Sequence, residues 1–113
     1  MIIETLIKNH LSESLSEWPV FLDIPADPPD EYVVIDRTGG SQRNFLSSAT
    51  IAVQSYARSR YRAAAINEEV KTAMQALPVH EEVAGCHLNS DYNFTNTATK
   101  WNRYQAVFDI THY

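Results

Sequence analysis

Residues 48–78 read SATIAVQSYARSRYRAAAINEEVKTAMQALP, and the fold is decided inside this stretch. Ile51 and Val53 share one face of an extended segment with Ala49 and Ser55, and Thr50, Gln54 and Tyr56 take the other, so Ser48 to Ala57 has the period of a strand. The period then changes. Ser59 offers a capping hydroxyl, and Ile66, Val70, Ala73, Met74 and Leu77 recur at helical spacing until Pro78 ends the helix. A strand feeding a helix through two residues anchors the pattern on both sides.

Upstream, Ile3, Ile7, Leu11 and Leu15, with Ile2 and Leu6 alongside, form the apolar stripe of a first helix, and Lys8, Glu13 and Glu17 fall at polar positions. Trp18-Pro19 breaks it. Val20 to Ile24 predicts a short strand, and Pro25-Ala26-Asp27-Pro28-Pro29-Asp30 a stiff connector whose prolines remove backbone donors. Glu31 to Arg37 contains the β-branched and aromatic run Tyr32-Val33-Val34-Ile35, which predicts a strand covered on both faces, and Thr38-Gly39-Gly40-Ser41 reads as the turn after it. Downstream, Glu82 to Phe94 and Lys100 to Tyr113 predict a long hairpin with its tip at Thr95 to Thr99; Tyr104, Ala106, Phe108 and Ile110 alternate with Arg103, Gln105, Val107 and Asp109. The expected fold is one α+β domain over residues 1–113, of order α-β-β-β-α-β-β, with two helices packed on one face of an antiparallel sheet.

Composition bounds the function. The chain has 113 residues, 44% hydrophobic and 20% charged, enough to bury a core without covalent staples. Cys86 stands alone, which excludes a disulfide scaffold and fits a reducing cytoplasm. Met-Ile-Ile-Glu at the N-terminus has no signal-peptide pattern, and no apolar run has membrane-spanning length. A net charge of −5 argues against broad nucleic-acid binding.

Chemistry is not visible. His10, His80, His87 and His112 are scattered and read as solvated or hydrogen-bonded residues, with no metal-ligand spacing. Cys86 and His87 are neighbours in an extended segment and project oppositely, so they form no dyad; Cys86 shares a face with Ala84 and Leu88 and reads as a small core residue. Glu68-Glu69 and Glu81-Glu82 read as solvated charge, and Gly39-Gly40 lacks the lysine of a phosphate loop. A hydrolase would have to gather His87, Asp91 and Glu82 through the fold. No catalytic, cofactor or metal residue is assigned, and no cofactor is expected.

Arg58-Ser59-Arg60-Tyr61-Arg62 breaks a rule, because cations gather at a helix N-terminus that already carries partial positive charge. Either the arginines extend into water with Tyr61 packed inward, or they meet carboxylates of another subunit or phosphates; reversing Arg60 and Arg62 to Glu is then expected to weaken oligomerisation and leave the fold intact. Trp101 and Arg103, on the polar register of the last strand, are either contact residues or covered by the first helix. Arg37, Arg43, Arg58, Arg60, Arg62, Lys100, Trp101 and Arg103 are the candidate interface residues.

Asp27-Pro28-Pro29, Val33-Val34-Ile35-Asp36-Arg37-Thr38-Gly39-Gly40, Ala52-Val53-Gln54-Ser55-Tyr56-Ala57, Asn89-Ser90-Asp91-Tyr92-Asn93-Phe94 and Tyr104-Gln105-Ala106-Val107-Phe108-Asp109, in this order and spacing, resemble the small tail-terminator or tail-completion proteins of long-tailed bacteriophages and prophages. The resemblance spans nearly the whole chain. It implies a virion protein that assembles with itself as a ring, commonly a hexamer, on the major tail tube protein, ends tail growth and faces the head–tail connector protein. It also implies no catalysis and no membrane, with the axial contacts in Thr38 to Asn44 and Asn93 to Lys100. A neighbouring neck component or a small nucleic-acid-binding domain is the alternative.

Overall fold

The computed structural model describes residues 2–43, 45–95 and 101–113. Helix α1 spans Ile3–Ser14, strand β1 Val20–Phe21, β2 Tyr32–Arg43, β3 Leu46–Ala57, helix α2 Arg60–Gln75, β4 Val83–Asn93 and β5 Asn102–His112. The expected order α-β-β-β-α-β-β is the observed one. The five strands form one sheet of order β1-β2-β3-β5-β4, antiparallel throughout except for the short parallel pair β1 and β2.

The alternation in β3 explains why the helices choose one face. Ile51 and Val53 are fully buried together with Val33 and Ile35 of β2 and Ala106, Phe108 and Ile110 of β5. Onto this surface α1 lays Ile3, Ile7 and Leu11, and α2 lays Ile66, Val70 and Met74. Each large aliphatic side chain taken out of water here contributes about 1.5–3 kcal/mol, which makes this face the main source of stability. Ser59 caps α2 as expected, its hydroxyl accepting the Arg62 N–H at 3.2 Å, and Pro78 sits in a 3₁₀ turn over Leu77–Val79.

Three expectations about elements are corrected. Thr38-Gly39-Gly40-Ser41 is not a turn: β2 runs through it to Arg43, with a bulge between Arg37 and Gly39, and the chain reverses between Arg43 and Leu46. Gly40 leaves room above itself for the guanidinium of Arg37, and a Cβ there would also stand 3.1 Å from the Ser48 carbonyl oxygen. The first strand pairs over Val20 and Phe21 alone; Leu22 and Ile24 are exposed, because the proline-rich segment leaves the sheet at once. In β4, register shifts between Val83 and Gly85 and between Leu88 and Ser90 break the period of two. Ala84 is consequently exposed, Leu88 is 49% exposed, and Cys86 is only half-buried against the core.

Candidate interaction surfaces

The register of β3 and β5 fixes where the long strands point. Ser47 pairs with His112 at one end of the sheet, and Ala57 with Asn102 at the other. The reversal between β2 and β3 therefore lies at the Ser47 end, and the reversal between β4 and β5 at the Asn102 end. The outer halves of both hairpins are largely exposed: residues 36–43 of β2, and residues 87–95 of β4 and the segment after it. The molecule is accordingly elongated, 44 by 25 by 24 Å.

At the Asn102 end, the face of the sheet turned away from the helices carries a second apolar cluster of Tyr32, Val34 and Tyr56, flanked by Phe21 and Trp101. Tyr32 and Tyr56 stack with ring centroids 4.6 Å apart, and Trp101 meets Tyr32 edge-on at 5.2 Å. Burial, and next the neighbouring Tyr56, push the Tyr32 hydroxyl up to about 12, so it stays protonated. Arginines close the cluster. The Arg58 guanidinium lies 3.9 Å over the Trp101 ring, and that of Arg103 lies 4.3 Å over Phe94 while its Nη1 donates to the Tyr56 hydroxyl at 3.1 Å. Ile24, Pro25 and Pro28 wall a shallow cavity of about 400 Å³ against Tyr32, Tyr56, Trp101 and Arg103. Trp101 and Arg103 thus lie on the face opposite α1.

The arginines at the start of α2 divide. Arg62 donates from Nε and Nη2 to both carboxylate oxygens of Glu31, at 2.8 and 3.0 Å, and Trp18 Nε1 donates to the same carboxylate at 2.8 Å. These hydrogen bonds, Arg62's first and Trp18's second, hold Glu31 at about 2 against its usual 4.5. Arg58 faces Asp30 at 3.4 Å. The compensation for cations at this helix start therefore comes largely from the chain's own Asp30 and Glu31, at the end of the proline-rich segment. Arg60 is exposed and has no ion pair or hydrogen bond among the described residues, and Tyr61 is 78% exposed instead of packing inward.

Of the other candidates, Arg37 folds back on its own strand, its Nε donating to the Gly39 carbonyl at 3.2 Å, with Glu4 of α1 at 4.0 Å. Arg43 is exposed at the far end of β2 and likewise has no partner among the described residues. Lys100, the proposed hairpin tip and much of the Asn93 to Lys100 region lie outside the described residues. Neither composition nor period singles out Phe45. It is 92% exposed and holds φ 68°, the left-handed region that an aromatic residue rarely adopts.

Glu82, His87 and Asp91, weighed for hydrolysis, are strung along one extended segment. Glu82 and Asp91 are nine residues apart along one extended segment, roughly 30 Å. Asp91 is occupied by Asn67 Nδ2 and Lys71 Nζ, both at 2.6 Å. His87 and Cys86 line a cavity of about 420 Å³ with Glu68 and Lys71, but burial pushes the Cys86 thiol up to about 11, which leaves it protonated and a poor nucleophile. His10 is buried; its Nε2 hydrogen-bonds the Ala73 carbonyl at 2.8 Å and its Nδ1 lies 3.0 Å from His80 Nε2, tying α1 to α2 and to the 3₁₀ turn. Among the described residues no group of three His, Cys, Asp or Glu side chains is placed to hold a metal ion, and no helix is long and apolar enough to cross a membrane.

No protein-family model and no curated protein matches the chain. Among solved structures, a chain of the virion of a native gene transfer agent (GTA) particle is similar over 94% of this chain and 83% of that one, with a TM-score of 0.48 and 12% identity. Similarity at that level is too loose to carry an argument.

Proposed function

We propose that the chain is a structural protein of a phage-like virion that assembles as a ring on the end of the tail tube, stops its elongation and presents a surface to the head–tail connector. The observation that carries the reading is the placement of the two hairpins at opposite ends of one sheet, with residues 36–43 of β2 and 87–95 of β4 and the segment after it largely exposed. A cap that joins a tube to a connector needs two contact surfaces facing opposite ways, and a continuous sheet supplies a stiff rod between them. The described parts of the two regions that the family resemblance implies for axial contacts are Thr38 to Arg43, in β2, and Asn93 to Thr95, at the end of β4 and just after it.

The nucleic-acid reading loses ground for a specific reason. Arg58 and Arg62 face Asp30 and Glu31, so the basic cluster that motivated it is largely neutralised within the chain. Deleting the gene is the direct test of capping. Tails of irregular length and particles lacking joined heads are expected; normal tail length with unjoined heads would move the protein to the neck, and normal particles would refute the proposal.

A further inference from the structure

The turn between β2 and β3 is built against its own local interest. A two-residue hairpin connection that needs a positive φ takes Asn-Gly most readily, because glycine adopts that conformation without steric cost. Here the sequence is Asn44-Phe45, and Phe45 holds φ 68° with its ring almost wholly in water. Both the backbone strain and the exposed ring are costs to the isolated chain. Beside it, Arg43 has no side-chain partner among the described residues.

A complementary surface lies at the same end of the sheet. His112 pairs with Ser47 on one side and Val83 on the other, and the Tyr113 N–H donates to the Glu82 carbonyl at 3.0 Å, so Glu82 and the hairpin tip flank one row of the sheet. Next to Glu82, Ile2, Thr5, Leu6 and Asn9 of α1 and His80 line an open hollow of about 480 Å³ whose exposed floor is mainly apolar. Ile2 is 65% exposed. The Glu81 and Glu82 carboxylates have no partner among the described residues. An apolar floor with an acidic rim matches an aromatic knob beside an arginine, and the knob does not fill the hollow of its own chain.

We propose that Phe45 docks in the hollow formed by Ile2 and Leu6 of a second copy of this chain, with Arg43 meeting Glu82 across the contact. The occupant is a second copy because the two surfaces are charge-complementary, unpartnered, and carried at the same end of every subunit, as a cyclic contact requires. The aromatic ring supplies the buried anchor and the ion pair sets orientation. The proposal rests on the ring reading only in requiring that copies touch one another.

The test uses the full chain in a Cys86→Ser background. Gln42→Cys and Thr5→Cys variants, which place cysteines at exposed positions beside the knob and in the lining of the hollow and keep Phe45 and Leu6, are mixed at the highest concentration at which the chain stays in solution and treated with a bis-maleimide. The contact predicts dimers in the mixture and none in either variant alone. Phe45→Gly provides the second readout with opposite signs: relief of the strained φ raises the melting temperature, and self-association weakens about tenfold or more. Arg43→Glu weakens association too, and adding Glu82→Arg to it restores association. Dimers in Gln42→Cys alone, no cross-link in the mixture, or unchanged association in Phe45→Gly would each overturn the proposal. A chain that fails here and still caps tail tubes keeps its proposed function with a different ring contact; one that cross-links and leaves tubes uncapped loses the function and keeps the contact.

Discussion

The two ends of the sheet use the same residue types to opposite effect. At the Asn102 end, Arg58, Arg62 and Arg103 are all engaged, by Asp30, Glu31, the Trp101 and Phe94 rings and the Tyr56 hydroxyl. At the Ser47 end, Arg43 and Phe45 are exposed and have no side-chain partner among the described residues. Arginine and aromatic residues are enriched at interfaces, but the same pair also closes an apolar cluster within a fold. Which role an arginine plays is decided by whether a carboxylate or ring of its own chain already meets it. The first end is therefore a structural clamp that joins β2, β3, the proline-rich segment and the start of α2. The second is the surface that the proposed subunit contact would use.

Removing Trp101 should break this contrast most severely. Trp101→Ala takes away the ring that packs against Tyr32 and Tyr56 and supports Arg58, and a loss of about 2–3 kcal/mol is expected for a partly exposed Trp, read as a lower urea midpoint. Self-association referred to the folded fraction should not change. A Trp101→Ala chain as stable as the parent would mean that this end is no clamp.

Glu31→Gln is the next largest. Because the folded carboxyl is held at about 2 and the free one titrates at 4.5, its contribution is complete above about pH 4.5 and disappears as pH falls through about 2. Arg62 is half exposed, so solvent screening reduces the effect to about 1 kcal/mol. The parent should exceed Glu31→Gln in melting temperature at pH 7, and the two curves should converge on approaching pH 2. A constant gap across that window would remove the ion pair from the account. Arg62→Glu sets two carboxylates face to face and lowers the melting temperature, so the paired reversal of Arg60 and Arg62 tests the fold as much as any assembly. The smallest effect is expected for Arg60→Glu, within about 0.5 kcal/mol in stability, since Arg60 is exposed and has no ion pair or hydrogen bond among the described residues. Any loss of assembly in that variant reports a contact with another molecule.

The sequence carried the fold through period alone. Alternation at Ile51 and Val53, helical spacing at Ile66, Val70 and Met74, and the cap at Ser59 each depend on near neighbours, and these elements stand where the pattern puts them. The errors came where a local cue serves a distant need. Two adjacent glycines read as a turn, yet Gly40 is small because the Arg37 side chain lies over it in a continuing strand. Bulges in β4 are invisible to a strict period of two, which puts Leu88 on the face of Cys86, whereas Leu88 is 49% exposed. The pairing of Arg62 with Glu31 joins residues 31 apart, and the stack of Tyr32 on Tyr56 depends on the register of β2 against β3, so neither was readable from the chain. Phe45 left a trace that went unused: an aromatic residue where a tight turn between strands favours glycine.

Tail-tube growth in the presence of the purified chain tests the central claim most directly. Tubes assembling from tail tube protein should stop lengthening once the chain is added, and electron microscopy should show annular density at one end of each tube. Tubes that continue to grow at the same rate, with bare ends at saturating chain, would contradict the account.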